Sequence, residues 1–260
     1  MILIKTPQEL QLLRESNRLV AEALVELKKL VAAGITTEEL DRFAENFIRR
    51  RGGQPAFKGY RGYPASLCVS VNEEIVHGIP SKKKLRDGDI VSLDLGVLMN
   101  GFYGDAAVTV PVGSIDPRVQ KLLQVTEDSL YRGIEQAKVG HRLLDISRAI
   151  QTTVESSGFS VVRDFVGHGI GRNLHEDPQI PNFYSPAAHN PRLQEGMVFA
   201  LEPMVNEGTH RMKILSDDWT AVTADSKLSA HFEHTIAITG SGPWILSSPD
   251  HEKKSLPLAG

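Results

Sequence analysis

Residues 90–110 decide how the chain folds: Ile90-Val91-Ser92-Leu93-Asp94-Leu95-Gly96-Val97-Leu98-Met99-Asn100-Gly101-Phe102-Tyr103-Gly104-Asp105-Ala106-Ala107-Val108-Thr109-Val110. Val91, Leu93 and Leu95 alternate with Ser92 and Asp94, the period of a strand with one buried face. Asn100-Gly101 is a strong hairpin signal, because both residue types accept the positive φ of a two-residue turn. A turn there sets Met99 opposite Phe102, and so Asp94 opposite Ala107. Asp105 is two residues from Ala107, which makes it the diagonal neighbour of Asp94 on the same face. Diagonal neighbours lie about 7–8 Å apart at the backbone, near enough for their side chains to converge. Two carboxylates converging on an apolar sheet repel each other and lose solvation, so something must neutralise them. One aspartate beside a turn reads most simply as a surface residue. A same-face pair flanked by Leu, Val, Ala and Phe points to a cation.

Working outward, helices flank this hairpin on both sides. Thr6-Pro7-Gln8-Glu9 is a capping box with Pro at the first helical position. Leu10, Leu13, Val20, Leu24, Leu27 and Val31 then line one face as far as Gly34. Thr36-Thr37-Glu38-Glu39 opens a second helix that Gly52-Gly53 ends. A third is expected from Asp116-Pro117 to about Lys138 and a fourth from Leu143 to Ser157, closed by Gly140 and Gly158. Strands are expected at 67–71, 90–97 and 102–110, then at 159–162, 197–205, 219–223 and 231–239. The order repeats. An offset of 106 carries Gly34, Leu40 and Gly52 onto Gly140, Ile146 and Gly158, and an offset of 108 carries Asp94 onto Glu202. The expectation is one domain over residues 1–260, α/β (α+β) in class. Its halves, at about 7–110 and 116–240, are related by a pseudo-twofold and share one sheet. Residues His251 to Gly260 read as a tail.

Composition limits what such a domain does. Lys and Arg number 29 against 32 Asp and Glu, a formal charge of −3, which argues against a protein that coats nucleic acid. Cys68 is the single cysteine, so no intrachain disulfide forms, and this fits a reducing compartment. No run of about 18 apolar residues is present, and Met1 to Leu10 lacks the apolar core of a secretory signal. The expected location is the cytoplasm.

The second half supplies further ligands. Glu202 follows the apolar run Met197 to Leu201, and Glu233 stands at the head of an apolar strand in His231-Phe232-Glu233-His234. Gly167-His168-Gly169-Ile170-Gly171 sets an imidazole between glycines, which suggests close approach of backbone to a neighbour. It lacks the Lys-Ser/Thr ending of a phosphate loop. Asp94, Asp105, His168, Glu202 and Glu233 together make an oxygen-rich site suited to Mn²⁺, Fe²⁺, Co²⁺ or Zn²⁺. Four carboxylates balance the charge of two divalent ions better than that of one, and a pair of ions suits hydrolytic chemistry.

Six ordered segments resemble the type I methionine aminopeptidases. They are Asn72 to Pro80, Leu85 to Asp94, Gly101 to Asp105, Gly167 to Glu176, Leu201-Glu202-Pro203-Met204-Val205 and Leu228 to Thr235. The resemblance implies the pita-bread fold, in which two pseudo-twofold halves pack helices on a curved antiparallel sheet around a dinuclear centre. It implies that Asp105 and Glu233 bridge two divalent ions, that Asp94 completes one metal site, and that His168 and Glu202 complete the other. It further implies removal of the initiator methionine from nascent chains with a small second residue, through attack of a bridging water or hydroxide on the first peptide bond. His77 is then expected beside the substrate, His175 at the carbonyl oxygen, and Glu202 as proton shuttle. Tyr60, Tyr63, Cys68 and Trp219 are expected to line the methionine pocket. Phe57 and Leu174 depart from the family pattern there. Asn72 and Ser229 match positions that help to hold a monovalent cation.

The implied partners are nascent N-termini, at the ribosome exit, with no nucleic acid or membrane bound and a monomeric state. Only 27 positions separate His175 from Glu202, which leaves no room for the insertion of type II relatives, and one Cys leaves none for an N-terminal zinc extension. Prolidases and aminopeptidase P share the metal set but add a large N-terminal domain. A non-catalytic binding protein on the same fold would have lost ligands that are all present here. A two-metal nuclease or phosphatase would carry basic clusters near the site, and the short basic run Lys82-Lys83-Lys84 is explained by a solvated turn.

Overall fold

Local chemistry starts each helix where the sequence predicts. Thr6 accepts the Glu9 N–H while the Glu9 carboxylate accepts the Thr6 N–H, opening α1 (Pro7–Leu30). Thr36 and Glu39 repeat the exchange at the start of α2 (Thr37–Arg50). Each such cap contributes about 1 kcal/mol. Asp116 accepts the Arg118 N–H at the start of α3 (Pro117–Gln136), and α4 (Leu143–Ser156) follows. The computed structural model describes residues 1–249; the expected tail, His251 to Gly260, lies outside the described residues.

The strands in chain order are β1 (Gln54–Pro55), β2 (Leu67–Val71), β3 (Glu74–Val76), β4 (Ile90–Met99), β5 (Phe102–Pro111), β6 (Ser160–Val161), β7 (Gly167–Gly169) and β8 (Glu176–Ile180). They continue as β9 (Val198–Leu201), β10 (Met204–Asn206), β11 (Met212–Ile214), β12 (Ala221–Thr223), β13 (Ser229–His231), β14 (Glu233–Thr239) and β15 (Gly242–Ile245). The main sheet is antiparallel in the order β1-β4-β5-β14-β9-β7-β8, with β2 also on β4 and β15 also on β14. Two three-stranded sheets, β13-β10-β6 and β11-β12-β3, close its sides. The β4–β5 hairpin has the predicted register, Met99 opposite Phe102 and Asp94 opposite Ala107, about a turn with positive φ at Asn100 (52°) and Gly101 (78°).

One face of the sheet is apolar and the other carries the polar residues. Leu93, Leu95 and Val97 pack with Leu24 and Leu27 of α1 and with Leu40 and Ile48 of α2, while Phe199, Ile236 and Ile238 pack with Leu130 and Ile134 of α3 and with Ile146 and Ile150 of α4. Matching places in the two halves carry matching geometry. Gly34 and Gly140 have φ of 96° and 88°, and Gly52 and Gly158 have 81° and 85°. The isolated bridges Thr36↔Lys84 and Arg142↔Arg192 also correspond.

Two expected strands are broken. Residues 197–205 divide into β9 and β10 at Glu202-Pro203, and residues 231–239 divide into β13 and β14 at Phe232. Pro203 has no N–H to give a ladder, and its carbonyl accepts the Phe232 N–H. Beyond this corner both strands leave the main sheet together and pair in the smaller one, Met204 opposite His231. The strand expected between them, 219–223, begins only at Ala221, since Trp219 and Thr220 give their N–H groups to Asp217. Strands β1, β3, β7, β8, β11 and β15 are additions to the sequence reading.

Gly104 is the contact on which helix and sheet meet. A Cβ there would lie 2.7–2.8 Å from the Asn17 backbone of α1. At Gly101 a Cβ would meet nothing within 4 Å and only the left-handed φ opposes it. Gly104→Ala is expected to destabilise the fold by about 3 kcal/mol through overpacking and Gly101→Ala by about 1–2 kcal/mol. Urea unfolding midpoints for the two variants check the ranking, and an equal loss would refute the contact.

Candidate metal and catalytic centre

The broken strands and the hairpin bring five side chains to one point. Asp94 projects from β4 and Asp105 from β5, and Glu233 begins β14, opposite Ala107. His168 lies on β7 opposite Ala200, and Glu202 follows β9 at the corner. Ligand atoms of Asp105, His168 and Glu233 all lie within 4.8 Å of one another. His168 Nε2 is 3.9 Å from Asp105 Oδ2 and 3.6 Å from Glu202 Oε1. His168 Nδ1 is 2.9 Å from the Gly169 carbonyl. A carbonyl only accepts, so Nδ1 donates and Nε2 turns its lone pair toward the acids.

The glycines around His168 answer the question that the sequence raises. A Cβ at Gly167 would lie 2.4 Å from the Ala200 carbonyl oxygen, and one at Gly169 would lie 2.2 Å from that of Asp177. At Gly171 it would strike the buried Lys5–Glu176 pair, whose Nζ and Oε2 are 2.5 Å apart. The close neighbours are other strands of the same chain and an ion pair that anchors the loop bearing His175.

Burial dominates the electrostatics. It pushes the Asp94 carboxyl up to about 7. Burial, followed by the charges of Asp94 and Glu202, holds Asp105 well above the ordinary carboxylate range. Glu202 rises through burial and then Asp94, and Glu233 through burial and then Asp105, Glu202 and Asp94. The imidazoles move the other way: burial and then His175 bring His168 to about 3 and His77 to about 4. His175 is lowered by burial and then by Arg61.

The donor set fits divalent cations. Asp94 Oδ1, Asp105 Oδ1 and Glu233 Oε1 are buried and have no hydrogen-bond partner among the described residues. Such oxygens are costly unless a cation takes them. A neutral imidazole lone pair beside carboxylates is the mixed N/O set that first-row metals accept.

A cleft of about 670 Å³, counting space open to solvent, joins this cluster to every expected pocket residue: Tyr60, Tyr63, Cys68, His77, His175 and Trp219. Phe57 and Leu174 line it as well. Cys68 lies opposite Asp94 on β2, buried, with burial pushing its thiol up so that it stays protonated. Tyr63 gives its hydroxyl to the Gly78 carbonyl at 2.9 Å and meets Trp219 edge to face at 5.1 Å. The Tyr60 hydroxyl is 2.8 Å from His175 Nδ1, and the His175 ring is 4.2 Å from that of His168. Asn72 and Ser229 also come together, the Ser229 N–H on the Asn72 carbonyl. Their side chains are already used: Asn72 Oδ1 accepts the Ile90 N–H and Ser229 donates to Asn206. A monovalent cation there would have to take backbone oxygens.

Three residues in or beside the cleft escape the sequence reading. Arg61 lines the cleft from a turn with φ of 49°. Phe165 meets His77 edge to face at 5.2 Å. His231 is buried with both ring nitrogens lacking a partner among the described residues. Its place two residues before Glu233 was the one available signal.

Comparison with known proteins agrees with this geometry. The family model for metallopeptidase family M24 matches residues 11–240. The chain is 58% identical over 247 residues to methionine aminopeptidase 1 of Bacillus subtilis, covering 95% of this chain and 99% of that protein. It is 56% identical over 247 residues to a methionine aminopeptidase of Clostridium perfringens, with the same coverage. The crystal structure of a Thermotoga maritima methionine aminopeptidase superposes with a TM-score of 0.93 at 49% identity, over 95% of this chain and all of that one. A Pyrococcus horikoshii prolidase shares the fold at 21% identity and a TM-score of 0.78, and this chain spans 64% of its length.

The raised carboxyl pKa values carry a pH signature. A folded-state pKa above the unfolded value means that the folded protein binds protons more tightly, so stability falls as pH rises through that interval. The buried histidines act oppositely, but only below their unfolded value of about 6.5. Above about 6.5 the carboxyls alone decide. Chelator-stripped protein is expected to lose thermal stability as the pH is raised from about 6.5 to about 8, and stripped Glu233→Gln to lose less. Differential scanning fluorimetry checks this; a wild-type midpoint independent of pH across that window would sink it.

Proposed function

The chain belongs to metallopeptidase family M24 and matches its methionine aminopeptidases over nearly its whole length, and from that premise we infer that it removes the N-terminal methionine from nascent proteins. The observation that carries the reading is the buried carboxylate cluster with oxygens left free for cations beside His168. In this reading Asp105 and Glu233 would help to hold both divalent ions, Asp94 would complete one site, and His168 with Glu202 would complete the other. When bound, these ions would anchor the substrate's free α-amine, polarise the first peptide carbonyl and lower the pKa of a water.

The chain's own groups do the rest. In this reading the Tyr60 hydroxyl, 2.8 Å from His175 Nδ1, donates to it and leaves the proton on Nε2, where it can be given to the carbonyl oxygen as negative charge grows there. His77, held neutral by burial, lies along the cleft between Trp219 and Phe165 and orients the substrate near the scissile bond. Glu202, a carboxylate at the edge of the cluster, is placed to take a proton from the attacking water and return it to the leaving amine. The thioether side chain is received by Tyr60, Tyr63, Cys68 and Trp219, where a buried thiol acts as a small polarisable hydrophobe. The bulk of the second residue limits turnover in the same confined cleft.

We read residues 1–260 as one catalytic domain, working as a monomer in the cytoplasm on chains emerging from the ribosome. Among the described residues no helix is long and apolar enough to cross a membrane.

Stripped protein supplied with Mn²⁺, Co²⁺, Fe²⁺ or Zn²⁺ is expected to cleave Met-Ala-Ser and to leave Met-Lys-Ser, Leu-Ala-Ser and Ala-Pro-Ser nearly intact. Release of alanine from Ala-Pro-Ser would instead support an aminopeptidase P activity, and no cleavage with any metal would support a binding protein. Asp105→Ala and Glu233→Ala are each expected to lose both ions on equilibrium dialysis; two tightly bound ions in either would refute joint ligation. His175→Ala is expected to keep its metal and lose about 10²–10³-fold in kcat, the usual cost of one oxyanion donor. Wild-type turnover by that variant would remove its role.

A further inference from the structure

The two halves of the main sheet meet along β5 and β14, and this seam is short. Its register covers only Glu233↔Ala107 and His234↔Ala106, and it stops one residue before Asp105. The backbone groups of Asp105 cannot turn back to β4. Its partner there is Gly96, whose own carbonyl faces away and accepts the Ala56 N–H. The next residue of β14 cannot supply the missing ladder bond either, because the Thr235 N–H goes to Ser247 Oγ at 3.0 Å. Two side chains fill the gap. Asn17 Oδ1 of α1 accepts the Asp105 N–H at 3.2 Å, and Thr235 Oγ1 donates to the Asp105 carbonyl at 2.7 Å. Both side chains are fully buried. The Asn17 amide is itself oriented, since its Nδ2 donates to the Leu13 carbonyl at 2.9 Å. Gly104 lets α1 come near enough for Asn17 to reach.

We infer that Asn17 and Thr235 are positioning residues for metal binding: they replace the lost ladder bonds of Asp105 and so fix where its carboxylate points. The inference rests on the reading of Asp105 as a ligand. Asp105 Oδ1 has no hydrogen-bond partner among the described residues, so the aim of that oxygen is set by the backbone that carries it. Hydrogen bonds that hold a ligand in place are worth a large factor in metal affinity even though they touch no metal.

Titration of the chelator-stripped full chain with Mn²⁺, following free Mn²⁺ by electron paramagnetic resonance, tests this. Thr235→Val keeps the shape and removes the hydroxyl; Thr235→Ser keeps the hydroxyl; Asn17→Leu removes the acceptor. Thr235→Val and Asn17→Leu are expected to bind Mn²⁺ about 10–100-fold more weakly, the range found when such supporting bonds are removed. Thr235→Ser is expected to bind as the wild type does. A folded Thr235→Val with wild-type affinity, or an equal loss in Thr235→Ser, would overturn the inference. Should Asn17→Leu fail to fold, the threonine pair decides. Asp105→Asn runs beside them. If it loses Mn²⁺ while Thr235→Val does not, positioning alone fails; if it keeps wild-type affinity for two ions, the ligand reading fails and takes the inference with it.

Discussion

Like charge gathered at a seam is the constraint on which the rest of the structure depends. Asp94, Asp105, Glu202 and Glu233 converge where two halves of one sheet are joined by two ladder pairs. Two unit charges about 4 Å apart repel by roughly 4 kcal/mol even at an effective dielectric constant of 20. Four such groups cannot all ionise against an apolar sheet, and without cations they retain protons. Divalent ions held there would reverse this, turning mutual repulsion into shared attraction across the seam. In the proposed reading the site is then a fastening between halves as well as a catalytic centre. Metal binding and folding draw on the same free energy.

The surrounding backbone can be understood as the means of holding this cluster at close range. The strands need a corner so that Glu202 and Glu233 reach a point already occupied by Asp105, and Pro203 and Phe232 provide it by ending ladder pairing on both strands at once. The imidazole must enter a crowded place, and glycines on both sides of His168 admit the Ala200 and Asp177 carbonyls that any Cβ would strike. Behind the loop that carries His175, Lys5 and Glu176 form an ion pair with only 6% and 5% of their side chains exposed. Breaking a buried pair by removing one partner costs about 3–5 kcal/mol. That magnitude suits an anchor for a loop whose histidine must not drift.

How much of this was legible in the sequence depended on whether the signal was local. The hairpin at Asn100-Gly101 set its own register, so the convergence of Asp94 and Asp105 followed from counting residues. Helix starts were legible because Thr6 and Glu9, or Thr36 and Glu39, are three residues apart and satisfy each other. The chain breaks inside 197–205 and 231–239 were not legible, because apolar alternation continues through Phe232 and only the pairing of two distant strands reveals the corner. Strands as short as β1 and β7 have no period to detect. His231 was visible only as a letter in a motif. Phe165 and Arg61 had no pattern at all, since tertiary packing brings Phe165 against His77 and Arg61 to the cleft. The roles of His77 and His175 came from resemblance to a family, and neither lies in a sequence pattern that would mark it alone.

The neutrality of the histidines follows from the same charge arithmetic. In the proposed reading four carboxylates of the cleft meet a substrate ammonium and two divalent ions, and an added imidazolium would upset the balance that these acids and ions make. Burial keeps His77 and His168 uncharged down to about 4 and about 3. A neutral imidazole has one N–H and one lone pair, and His168 and His175 each have a neighbour at Nδ1 that bears on which nitrogen carries the proton. The Gly169 carbonyl leaves His168 a lone pair for a cation, and in the proposed reading the Tyr60 hydroxyl donates to Nδ1 and leaves His175 a proton for an oxyanion. In that reading two rings 4.2 Å apart are set to opposite tasks by one hydrogen bond each. The division of labour between ligand and catalyst is written in the partner of the nitrogen that faces away from the reaction.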